Sequence, residues 1–143
     1  MSTVGVLGPA GTGHITANNM LTFFCIGQFL INTTSYLLPG STNSNCNAST
    51  NGFELPTAVT GTLANLFVKV GTASANAGDG VVTVYKDSNP TSLTCTLGTS
   101  TTCSDPTHTV SVTAGTDSFS VRITTALTGT ESLANARVTL QIQ

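Results

Sequence analysis

Residues 118–123 read Ser-Phe-Ser-Val-Arg-Ile, and residues 134–142 read Ala-Asn-Ala-Arg-Val-Thr-Leu-Gln-Ile. In the first stretch Phe119, Val121 and Ile123 fall on one parity, and Ser118, Ser120 and Arg122 on the other. In the second, Val138, Leu140 and Ile142 alternate with Arg137, Thr139 and Gln141. A period of two buries one face of a strand and leaves the other polar. The same grammar extends backward from both stretches. Leu66, Val68 and Val70 alternate with Phe67 and Lys69. Leu93, Cys95 and Leu97 share a parity, and Val110 and Val112 alternate with Thr109, Ser111 and Thr113. Asp79-Gly80, Asp87-Ser88-Asn89-Pro90 and Ala114-Gly115 mark turns between these segments. Strands recurring between turn signals indicate an antiparallel sandwich or barrel. About eight strands are readable, the number of a jelly roll.

Composition narrows the class. The chain has 143 residues, of which 39% are hydrophobic and only 7% charged, with four Lys+Arg against six Asp+Glu. Typical soluble domains carry about 25% charged residues. Threonine occurs 28 times, serine 14 times and asparagine 11 times. Helices are disfavoured, because these residues are poor helix formers. Four cations cannot build the basic patch that nucleic acid requires. Exposed sandwich edges are normally guarded by Lys, Glu or Pro. Guards are few here, so either the edges are covered by copies of the protein or the chain associates by default.

Residues 1–19 hold Gly-rich sequence without periodicity and are expected to form an extended arm. Residues 20–143 are expected to form one sandwich domain. Met20 to Ile31 is the most apolar stretch, too short and too interrupted to span a bilayer. Its Phe and Ile content favours a strand over a helix, with Gly27 as a bulge or bend. No export signal is read. Ser35 to Leu38 is a further short strand, stopped by Pro39-Gly40. Residues 41–52 are a polar loop.

From about Thr57 onward the chain resembles a family of jelly-roll-like domains found in bacteriophage virion proteins. The residues that carry the resemblance are Leu66-Phe67-Val68-Lys69, Gly80-Val81-Val82-Thr83-Val84-Tyr85-Lys86, Leu93-Thr94-Cys95-Thr96 and Cys103-Ser104-Asp105. His108, Val110, Val112, Ala114-Gly115, Ser120-Val121-Arg122 and Ala134-Asn135-Ala136-Arg137-Val138 complete it. Two positions depart from the family pattern: Thr116 intervenes before Asp117, and the turn after Lys86 is Asp87-Ser88-Asn89-Pro90 where the family has Asn-Gly. The resemblance implies a virion structural module, a head decoration protein or part of a tail fibre. It carries no catalytic residues.

The chain has four cysteines, whose spacings match no zinc motif. Cys95 and Cys103 are centred on Thr99. A hairpin turning there places them opposite each other and within disulfide range, with two buried free thiols as the other reading. Cys25 with Cys46 is a second, weaker pairing. Ser104, Asp105 and His108 share the residue types of a hydrolase triad. Yet Asp105-Pro106 reads as a turn, and no nucleophile elbow is present. Residues 76–80 contain one Asp, too few carboxylates for a calcium loop. Glu54 and Glu131 are scattered. Tyr36, Tyr85 and the phenylalanines are either core or stacking surfaces for sugar.

These readings lead to one expectation: a non-enzymatic capsid decoration (cement) protein on a phage head. It would be a homo-oligomer, a trimer by preference, bound to the major capsid protein, without cofactor or metal and without nucleic-acid or membrane partners. It would assemble in the host cytoplasm and be extracellular after release of the virion. Val4, Val6, Leu7 and Ile15 of the arm, with Phe23 and Phe24, are the expected inter-subunit residues. The alternatives are a tail-fibre domain binding host glycan through residues 41–52, and a subunit of an extracellular filament.

Overall fold

The computed structural model of the chain describes residues 19–29, 32–39, 54–125 and 133–143. The arm residues Val4, Val6, Leu7 and Ile15, the loop 41–52 with Cys46, and Glu131 lie outside the described residues. Ten strands and no helix are formed among the described residues: β1 (Asn19–Gln28), β2 (Thr34–Pro39), β3 (Leu55–Pro56), β4 (Gly61–Lys69), β5 (Val81–Lys86), β6 (Asn89–Thr96), β7 (Thr102–Asp105), β8 (Val110–Val112), β9 (Ser118–Thr124) and β10 (Ala134–Ile142).

All pairings are antiparallel and follow the order β6-β5-β9-β2-β1-β10-β4-β7. The path folds into two layers. A front sheet holds β1, β10, β4 and β7, and a back sheet holds β2, β9, β5 and β6. Two short strands extend others. β3 continues β2 along β9, and β8 continues β7 along β4. Ten segments therefore occupy eight strand positions.

The alternation read from the sequence sets which side chains fill the space between the layers. Phe119, Val121 and Ile123 from the back meet Val138, Leu140 and Ile142 from the front, with Leu63, Leu66, Val68, Val82, Val84 and Leu93 between them. Phe23 also lies here, 1% exposed, with its ring edge-on to Phe119 at 6.3 Å. This corrects the expectation that Phe23 and Phe24 together form an inter-subunit surface. Adjacent strand residues point to opposite faces, so only Phe24 stands outside.

Bulges shift the parity where alternation alone misleads. β1 gains a residue against β10 between Cys25 and Gln28. Gly27 absorbs it at φ 122°, and its N–H donates to Asn135 Oδ1. β4 gains one opposite Thr139–Gln141. Asn65 takes the left-handed conformation there, so Leu63 and Leu66 both point inward. The turn expected over residues 87–90 is shorter than that cluster. Asp87 and Ser88 alone, both at positive φ, make a two-residue hairpin of the I′ kind. Asn89 and Pro90 already belong to β6. Proline is tolerated because β6 has a ladder partner on one side only.

The cysteines correct a second expectation. Cys95 and Cys103 are disulfide-bonded, with Cα atoms 5.8 Å apart, but they do not sit on a paired hairpin. Cys95 pairs with Val82 of β5, and Cys103 with Val68 of β4. The chain turns a corner over residues 97–101 and changes sheets. Gly98 permits the corner: its φ is +56°, and a Cβ there would lie 2.5 Å from the Ala77 carbonyl oxygen. The disulfide thus joins β6 to β7, the two ends of the hydrogen-bonded path. Cys25 is disulfide-bonded as well.

The two terminal strands lie against each other without ladder pairing, and a side chain bridges them. The Thr94 N–H of β6 donates to Asp105 Oδ2 at the end of β7. The disulfide and this hydrogen bond pin the two edge strands together, while each keeps a ladder partner on one side only.

Two outer faces as candidate functional surfaces

The front sheet turns one cross-strand row of Phe24, Arg137, Lys69 and Thr102 to the outside, and beside it a row of Thr22, Thr139, Phe67 and Ser104. Met20, Ile26 and Phe67 are 63%, 46% and 45% exposed. They are the exposed large hydrophobic residues among the described residues, and all three stand on this face. Arg137 and Lys69 are direct cross-strand neighbours. Like charges so placed repel, and among the described residues neither has an ion pair. The Arg137 guanidinium lies 5.9 Å from the centre of the Phe24 ring.

The back sheet presents a different surface. Its central row is Thr94, Thr83, Arg122 and Tyr36. Arg122 is the hub. Its guanidinium carbon lies 4.4 Å from the centre of the Tyr36 ring and 3.9 Å from that of Tyr85. Its Nε–H donates to Ser120 Oγ, and Nη2 donates to Glu54 Oε1 at 3.2 Å. Glu54 also accepts from the Ser88 and Ser118 hydroxyls at 2.8 and 2.6 Å. The Ser118 hydrogen bond, joined by those of Ser88 and the charge of Arg122, holds the Glu54 carboxyl below its ordinary pKa against the opposing effect of burial. Around this hub hydroxyls pair across strands, Thr83 with Thr94 at 2.8 Å and Thr34 with Thr124 at 3.1 Å.

The remaining charges serve the fold. Lys86 meets Asp117 at 2.7 Å and donates to the Ser111 carbonyl. The Lys86 hydrogen bond lowers the Asp117 pKa, helped by the Thr113 N–H. Asp79 accepts from the Ser74 hydroxyl and from its neighbour's N–H at Gly80, which makes residues 76–80 a self-bonded turn. Among the described residues no three His, Cys, Asp or Glu side chains converge as metal ligands.

Asp105 and His108 do meet, with Nδ1 2.8 Å from Oδ2. Among the described residues, however, the Ser104 hydroxyl makes no hydrogen bond to that imidazole. Ser104 points outward beside Phe67, while Asp105 points inward and is 5% exposed. Burial alone would raise the Asp105 pKa and is the largest single influence. The N–H groups of His108, Thr94 and Thr107 and the His108 ring together reverse it, holding the carboxyl far below the usual carboxylate range. Asp105 with Thr94, Thr107 and His108 forms a strand-end clamp at the seam.

The expected site residues thus divide. Phe24 belongs to the front face, and Phe23 to the core. Tyr36 and Tyr85 converge with Glu54 and Arg122, which sequence reasoning did not join to them. The only signal was that Tyr36, Tyr85 and Arg122 fall on the parity opposite their buried apolar neighbours, and it does not reveal the register that brings them together. Comparison with models of known protein families finds no match, and comparison with curated proteins finds none either.

Proposed function

We propose that this chain is a non-enzymatic structural subunit of a phage particle, a decoration protein that docks through the outer face of its front sheet. With β3 counted with β2 and β8 with β7, the front sheet runs first–eighth–third–sixth and the back sheet second–seventh–fourth–fifth. That order supports reading the sandwich as a jelly roll, in line with the resemblance. The observation that carries the functional reading is the concentration of Met20, Ile26 and Phe67 on one face, while the other exposed side chains of the described residues are rich in hydroxyls. Apolar groups gathered on a single face mark contact with other polypeptide. Burial of that face releases about 25 cal/mol per Å² of apolar area, and the neighbouring Thr side chains cost less to dehydrate than ions would. Lys69 and Arg137 repel each other across the ladder, so a partner that brings carboxylates relieves them. A shell of major capsid protein fits that role better than the same face of a second copy, which would double the positive charge. Residues 1–19 act as an arm toward the shell or a neighbouring copy.

Sedimentation with expanded capsids tests this. Wild-type protein co-sediments; Phe67→Asp fails to, while keeping its thermal midpoint. Deletion of residues 2–19 weakens co-sedimentation. Full capsid binding by Phe67→Asp would refute the docking face, and full binding by the deletion would refute the arm.

A further inference from the structure

We propose that the outer face of the back sheet is a binding site for neutral saccharide, centred on Arg122 between Tyr36 and Tyr85. This face is separate from the docking face and serves a different task.

The argument starts from unused hydrogen-bonding capacity. A guanidinium carries five N–H donors in a planar fork. In Arg122 the Nε–H and one Nη2–H are taken by Ser120 and Glu54. Among the described residues, Nη1 has no partner, and the Tyr85 hydroxyl has none. No buried side-chain nitrogen or oxygen lacks a hydrogen bond among the described residues, so neither atom is fully enclosed. The arginine itself is only 12% exposed. Two rings and a carboxylate hold it in place, so it loses little freedom when a ligand arrives. A rigid donor fork, a phenol that donates or accepts, and aromatic rings are together on one surface.

Charge selects the ligand. Glu54 lies against Arg122 and cancels its charge, so an anion gains little here and meets a carboxylate. A neutral molecule with adjacent hydroxyls fits better. One hydroxyl accepts from Nη1, and another exchanges a hydrogen bond with Tyr85 Oη. The apolar C–H face of a pyranose packs on a tyrosine ring. The paired Thr83 and Thr94 hydroxyls in the same row extend the site along a chain of sugars. An outer sheet face suits an extended oligosaccharide better than a buried monosaccharide.

The protein carries its own reporter. It contains no Trp and two Tyr, and both flank Arg122, so its intrinsic emission comes from this site. Titration of the full chain with dextran, laminarin and mannan, with polygalacturonate as the anionic counterpart, tests the proposal. At least one neutral polysaccharide is expected to change tyrosine emission saturably and to retard the protein in an affinity gel. In the gel, Arg122→Lys is expected to lower the affinity at least tenfold. Tyr85→Phe keeps the ring and the fold and removes only the hydroxyl; a threefold or larger loss is expected. Circular dichroism establishes that both variants are folded. Should Arg122→Lys not fold, Tyr85→Phe decides alone. The proposal is overturned if none of the three neutral polysaccharides changes the emission or retards the protein. It is equally overturned if polygalacturonate alone does so, or if Tyr85→Phe binds as tightly as wild type.

Discussion

Arg122 and Arg137 stand on neighbouring elements in the sequence and on opposite outer faces of the sandwich. Each has an aromatic ring beside it, yet their surroundings differ in every other respect. Arg122 is enclosed by two rings, a carboxylate and a serine hydroxyl. Arg137 has one ring at a longer distance and a lysine as its cross-strand neighbour. The back face settles its charges internally and offers spare donors. The front face leaves its charges without ion pairs among the described residues and its large apolar groups exposed. An exposed charge says little until its partners are counted.

The contrast can be broken by mutation. Arg122→Ala should cost about 3 kcal/mol, since it removes two stacked cation–π contacts and leaves Glu54 without its countercharge. Arg137→Ala should stay within about 0.5 kcal/mol of wild type. Denaturant unfolding of the two variants measures both. Equal losses would mean that the two faces do not differ as described.

Asp105 provides a control that belongs to neither face. Asp105→Asn should cost roughly 2 kcal/mol, because one amide oxygen cannot accept all the donors that converge there. The sign with pH is fixed by the depressed pKa. The carboxylate stabilises the fold above the ordinary carboxylate value and loses that effect as acid protonates it in the folded state. The gap in melting temperature between wild type and Asp105→Asn should therefore be widest near neutral pH and should narrow below about pH 4. A gap that widens on acidification would refute the clamp.

Glu54→Gln sharpens the account of the back face at smaller amplitude. A loss of about 1 kcal/mol is expected at pH 7, shrinking as pH falls through the carboxylate range, since this pKa too is lowered. Scanning calorimetry at several pH values reads it. The smallest effect is expected on the front face. Lys69→Glu turns a repulsive neighbour pair into an attractive one and should raise stability by about 0.3–0.5 kcal/mol. The same change should weaken capsid co-sedimentation, so that stability and docking move in opposite directions.

Much of this architecture was legible in alternation. Phe119, Val121, Ile123 and their counterparts on β10 declare a two-faced strand without help from the rest of the chain, and the bulge at Gly27 follows from a glycine inside an apolar run. What alternation omits is register. Tyr36 and Arg122 are far apart in sequence and become neighbours only because β2 pairs with β9. Phe23 and Phe24 look equivalent in a run of apolar residues, and the pleat separates them. Cys95 and Cys103 are close enough in sequence to suggest a hairpin. The corner at Gly98, which needs the backbone of residue 77 to pass closely, sends them to different sheets. Spacing therefore indicated the bond, while the reason for its position came from the sheet order.

The stapled ends of the strand path bear on how a foreign strand could enter. Each end strand keeps one backbone edge without a ladder neighbour, the place where an intruding chain would normally add itself. Here those two edges face one another and a covalent bond ties them, so an intruder would first have to prise the pair apart.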